Sequence, residues 1–145
     1  MKSMLGALIG AAFLLAAGAA SGQQVTIGDH VADLVKQRAK PTEKMVGDVG
    51  IAELGESEIS EFVFRIDPGK TYYVRGACDD DCPDIDLQAF NAAGDSVGED
   101  AQPNELPEIQ IPAGKSGAEL HVIISVETCL QETCVSGVGL FQTEP

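Results

Sequence analysis

The residues best suited to chemistry lie in one run, Cys78-Asp79-Asp80-Asp81-Cys82-Pro83-Asp84-Ile85-Asp86. Five carboxylates fall within eight residues. Charges this close repel unless water or a cation screens them. Calcium takes about six to eight oxygen ligands, often carboxylates and carbonyls from one loop. The run therefore reads as a candidate calcium site with Asp79, Asp81, Asp84 and Asp86 as ligands, and with Asp100, beside Glu99, approaching from a neighbouring loop. The competing reading is a solvated acidic turn whose Asp84 and Asp86 face outward from a strand or accept bonds from backbone amides. The glycine and terminal glutamate spacing of an EF-hand is absent.

Four cysteines fall in two close pairs, Cys78/Cys82 and Cys129/Cys134. An even count in an exported chain reads as disulfides. Of the three possible connectivities the local one is favoured, 78 with 82 and 129 with 134. Each bridge closes a small loop between strands, which would hold the acidic run still. A four-thiolate zinc site is the alternative, disfavoured by an oxidising compartment and by the spacing. A redox dithiol needs Cys-x-x-Cys, which neither pair has.

Other chemistry is sparse. The chain has no Gly-x-Ser-x-Gly elbow and no phosphate-binding glycine loop. The aspartates are adjacent loop residues, and with no Trp to build a sugar platform they match a glycosidase site poorly. His30 falls in a helical stretch, and His121 lies on the outer face of a strand between Leu120 and Val122. The tyrosines Tyr72 and Tyr73 are adjacent on a strand and so face opposite sides.

The elements that position these residues follow from periodicity. Val31, Leu34 and Val35 recur at helical spacing within 29–40, Thr26 and Asp29 can form a capping box, and Pro41 ends the run. From Val46 onward the period is two. Phe62, Phe64 and Ile66 alternate with Val63 and Arg65, Asp67-Pro68-Gly69-Lys70 turns the chain, and Tyr72 and Val74 continue, which predicts a hairpin. Ile85, Leu87 and Ala89 form an inward face, and 91–95 turns again. Residues 98–107 read as a long loop. Ile109 and Ile111 make a short strand, Leu120 to Val126 the strongest one, and Val135 to Phe141 the last. Some six or seven short strands without βαβ alternation predict an all-β sandwich.

Lys2, the uncharged stretch Met4 to Ala20 and the small residues Ala20-Ser21-Gly22 have the three parts of a secretory signal. The expected organisation is a signal peptide over 1–22, a helix and linker over 23–45, and a β-sandwich over 46–145. The chain is expected in the periplasm or the medium, with no membrane span after signal cleavage. Its 145 residues carry 9 basic and 23 acidic side chains, a net charge of −14. Such a surface repels nucleic acid and favours cations and basic partners.

Several of these motifs, in this order, resemble the bacterial pre-peptidase C-terminal domains. Gly69-Lys70-Thr71-Tyr72-Tyr73-Val74 is similar to that family's G-x-x-Y-x-V stretch, Asp84-Ile85-Asp86-Leu87 to its D-x-D-L strand, Asn91-Ala92-Ala93-Gly94-Asp95 to its D-x-x-G turn, and Glu99-Asp100 to the aspartate that follows. The match covers roughly residues 46–141. The resemblance implies a jelly-roll-like sandwich, usually an accessory module of secreted enzymes. Some members bind calcium and some bind polymers such as collagen. Two departures are Ala118-Glu119-Leu120-His121 in place of a later Gly-x-Tyr, and the expectation that this chain stands without a protease domain.

The function expected from these readings is an exported, non-enzymatic binding or accessory module, stabilised by calcium, with a protein or polysaccharide partner. Two alternatives stand beside it. One is a small enzyme or inhibitor with a loop-built calcium site. The other is a structural subunit of an envelope assembly that docks through the N-terminal helix.

Overall fold

The computed structural model describes residues 25–143. The proposed signal peptide lies outside the described residues. Thr26 caps helix α1, Ile27–Gln37: its hydroxyl accepts from the Asp29 amide at 3.1 Å while the Asp29 carboxylate accepts from the Thr26 amide at 3.0 Å. This is the reciprocal cap expected from the spacing.

Eight strands follow: β1 Glu43–Leu54, β2 Ile59–Arg65, β3 Tyr72–Cys78, β4 Asp84–Asn91, β5 Ser96–Asp100, β6 Glu108–Ile111, β7 Glu119–Thr128 and β8 Cys134–Thr143. They form two antiparallel four-stranded sheets, in the orders β1-β8-β3-β6 and β2-β7-β4-β5. This is the all-β sandwich expected, in the strand order of a jelly roll. Its core is the inward set of both sheets. Ile85, Leu87 and Ala89 of β4 and Leu120, Val122, Ile124 and Val126 of β7 are fully buried, packed against Val74, Ile109, Val138 and Leu140.

Three expectations are corrected. The turn at 67–70 forms, with the Lys70 amide on the Asp67 carbonyl at 3.1 Å, but it does not close a hairpin. β2 pairs with β7, whereas β3 joins the other sheet between β8 and β6. The Ile66 amide is held by the Ala118 carbonyl and the Pro68 carbonyl by the Gly114 amide, so the turn is tied to the 112–118 segment and hands the chain across the sandwich. Secondly, a strand begins already at Glu43. Its alternation is interrupted where Gly47-Asp48-Val49 stands opposite Gly139 alone, a bulge that Gly47 allows with φ +71°. Thirdly, the acidic loop read at 98–107 begins as strand: 96–100 is β5, paired to β4 through the 91–95 turn.

The helix belongs to the sandwich. Val31 and Val35 are fully buried on the outer face of β8. A Cβ at Gly137 would stand 2.9 Å from Val31, and one at Gly139 2.6 Å from Val35, so these glycines let the helix approach. Arg38 fastens its end, with Nη1 donating to the Pro107 carbonyl at 2.8 Å and also to Gly76. The first sheet is thereby covered on both faces, and the outer face of β2-β7-β4-β5 is left open.

Candidate functional site

The two disulfides pair as favoured, Cys78 with Cys82 and Cys129 with Cys134. They sit in loops that touch at one end of the sandwich. The Leu130 amide donates to the Asp81 carbonyl at 2.8 Å, and the Asp79 amide to the Val135 carbonyl at 2.9 Å. Asp79 also accepts from the Val135 amide at 2.7 Å and from Asp81 at 3.3 Å. Asp84 accepts from the Asn104 amide at 3.1 Å. Asp100 caps the start of β6, accepting from the Glu108 amide at 2.8 Å and from Gln102 at 3.1 Å. Asp81 is exposed beside Val25, Ile27 and His30. Asp86 faces outward from β4; burial, and then Glu127, Asp84 and Asp100, hold its carboxyl above the usual carboxylate range.

The five aspartates named from the sequence are thus spread over a loop, a strand face and a sheet edge. Asp100 stands opposite Leu87, on the core-facing side, while Asp84 and Asp86 point to the other side. Among the described residues no three His, Cys, Asp or Glu side chains gather as a metal site. Three of the five, Asp79, Asp84 and Asp100, accept bonds from backbone amides.

A second cluster lies under the helix. Arg75 is buried, at 1% exposure. It meets Glu43 with both terminal nitrogens, the longer bond 3.0 Å, and donates through Nε to Glu108. Its guanidinium lies 5.0 Å from the Tyr73 ring centre and 5.1 Å from that of Phe141. Burial alone would lower the Arg75 pKa, but the two carboxylates outweigh it and the net shift is upward. The bond from Arg75 in turn pulls Glu43 below its usual value. This cluster ties β1, β3 and β6 together beneath Lys40; Arg75 and Glu43 are buried in it, while Glu108 reaches solvent at its edge.

The open sheet carries a third cluster, and it is accessible. Its outer face has two central rows, Val63–His121–Phe90 and Glu61–Ile123–Gln88, running across β2, β7 and β4. The His121 ring bonds Glu61 through Nδ1 at 2.6 Å and Glu119 through Nε2 at 3.0 Å. Carboxylates only accept, so this placement of both ring nitrogens favours the imidazolium form. Glu61 first, and then Glu119, raise its pKa. Beside it a hollow of about 330 Å³ is lined by Phe90, Ile123 and the 91–94 turn. Alternation puts Glu99, Glu127, Asp84 and Asp86 on the same face, with Arg65 the other cation there. The nearest serine on β7, Ser125, donates to Glu127 at 2.8 Å and lies four residues from His121. That is roughly 13 Å along a strand, too far for a nucleophile–base pair.

This cluster was only half legible in the sequence. The position of His121 on an outer face follows from the period of two. Glu61 is sixty residues away, and nothing local states that β2 and β7 are neighbours. No known protein family matches this chain, and no curated protein matches it significantly. Among the described residues no helix is long and apolar enough to cross a membrane.

Proposed function

We propose that the protein is an exported, non-enzymatic β-sandwich that binds a basic protein segment on the outer face of β2-β7-β4-β5. One observation carries this reading: the fold covers one sheet with its own helix and leaves the other open, with an acidic face around a mostly apolar hollow. A lysine or arginine side chain meets the Glu61 carboxylate beside the hollow, and its aliphatic stem lies on Phe90 and Ile123, while Glu119 and Asp86 add negative charge farther along the same face. The two disulfides suit an oxidising compartment, periplasm or medium. The resemblance to pre-peptidase C-terminal domains agrees with an accessory role.

Calorimetric titration of the oxidised protein with a lysine-rich peptide tests it. Binding is expected to weaken as salt rises. Glu61→Gln with Glu119→Gln should weaken it on the order of tenfold, the effect of losing two contacts worth together about 1.4 kcal/mol. Binding that ignores both changes contradicts the reading.

Calcium stabilisation stands as a second reading, favoured by Asp86, whose raised carboxyl a nearby cation would relieve. Thermal unfolding with calcium and with chelator tests it. A hundredfold excess over the dissociation constant stabilises by about 2.7 kcal/mol. An unchanged midpoint at millimolar calcium ends this reading without touching the first.

A further inference from the structure

The edge of the open sheet at β2 is unprotected. β2 pairs only with β7, so the backbone N–H and C=O groups along its other side lie unpaired over seven residues, an edge of about 24 Å. Its side chains are unusual for a free edge. Val63 is 53% exposed and Ile59 64% exposed on the outer face. On the inner face Phe62 and Phe64 are half-buried and line a groove of about 430 Å³ against the bulge of β1.

We propose that this edge pairs with the same edge of a second copy, β2 antiparallel to β2, centred on Val63. The strand reads Ile59-Ser60-Glu61-Phe62-Val63-Phe64-Arg65. Centring on Val63 sets Glu61 opposite Arg65 of the second copy, twice by symmetry. It sets Val63 opposite Val63 on the outer face, and Phe62 opposite Phe64, again twice, on the inner face. Charge, apolar and aromatic partners all meet their complements in this one register. A register centred on Phe62 would oppose Glu61 to Val63 and Arg65 to Ile59, pairing neither charge. The contact is isologous and closes on itself, making one eight-stranded sheet from two open ones. Glu61 keeps one oxygen on His121 and offers the other to Arg65. The chain's net charge of −14 opposes association, and Arg65 puts a cation where the two copies meet. A seven-residue pair with its flanking side chains is smaller than a standard stable interface, so the dimer forms in a concentration-dependent way.

Sedimentation velocity of the oxidised, purified protein over a range from about ten micromolar to one millimolar tests this. The wild type is expected to pass from monomer to dimer. Val63→Lys faces two ammonium groups across the axis, and Arg65→Glu faces carboxylates across it. Each should weaken the dimer tenfold or more while circular dichroism stays that of the wild type, because both side chains are exposed. Glu61→Arg should likewise be monomeric. Mixing Glu61→Arg with Arg65→Glu restores both charge pairs and should give a heterodimer that neither variant forms alone. A wild type that stays monomeric throughout overturns the proposal. So does a dimer that Val63→Lys and Arg65→Glu leave intact, since its interface would lie elsewhere.

Discussion

The two sheets each carry one cation between two carboxylates, and the difference between them is water. Under the helix, Arg75 is held by Glu43 and Glu108 at 1% exposure. On the open sheet, His121 is held by Glu61 and Glu119 where solvent reaches it. The geometry is alike but the consequences are opposite. A buried charge that loses its partner has nothing to replace it, so the first cluster is structural and intolerant of change. A solvated clamp is screened and contributes little to stability, which leaves it available for binding.

Arg75→Met should show the largest effect. It leaves Glu43 buried without its partner and should cost about 3–5 kcal/mol, read by urea denaturation. Adding Glu43→Leu should recover a large part of that loss, because the one carboxylate then left without Arg75 is Glu108, which is 36% exposed and lies 4.0 Å from Lys40. Equal losses in the single and double variants would mean that packing on Tyr73 and Phe141, and not charge, holds the cluster. Next comes the helix that covers the first sheet. Val35→Ala removes two buried methyl carbons and should cost about 2 kcal/mol. A change near zero would mean that α1 is not part of the cooperative unit. Thr26→Ala removes the cap and should cost about 1 kcal/mol.

The smallest effect is on the open sheet. The His121 pKa is raised in the folded state, so its contribution is fully present below its unfolded value of about 6.5 and is lost as pH rises through the raised one. The wild type should lose a small part of its midpoint over that window, and His121→Gln should not. Glu43 has the opposite sign. Its lowered pKa gives stability present above about pH 4.3 and lost as pH falls through the folded value. Acid should therefore weaken the covered sheet, and mild alkali the open one.

Local features were legible in the sequence. The cap at Thr26 and Asp29, the disulfide pairing and the inward rows of β4 and β7 each depend on residues close together in the chain. Pairing between distant strands was not. The Asp67-Pro68-Gly69-Lys70 turn dictates a reversal but not which sheet receives β3, since that is decided by the Pro68 and Ile66 contacts with the 112–118 segment. β1 was hidden because Gly47 and Gly50 interrupt its alternation and the Gly47-Asp48-Val49 bulge shifts its register between Val46 and Gly50. Arg75 reads as a surface residue next to Tyr73, and only the long-range approach of Glu43 and Glu108 makes it a core one. The aspartate run drew attention by density, whereas the structure disperses its side chains among amides that a sequence does not place.

On the proposed reading, the open face of β2-β7-β4-β5 is where the protein binds. The most direct test is a nitrogen-15 NMR titration with a lysine-rich peptide. Amide shifts are expected to concentrate at Glu61, Glu119, His121 and Ile123, with α1 and the Cys78–Cys82 loop unmoved. Shifts centred on α1 or on that loop, or none at all, would contradict it.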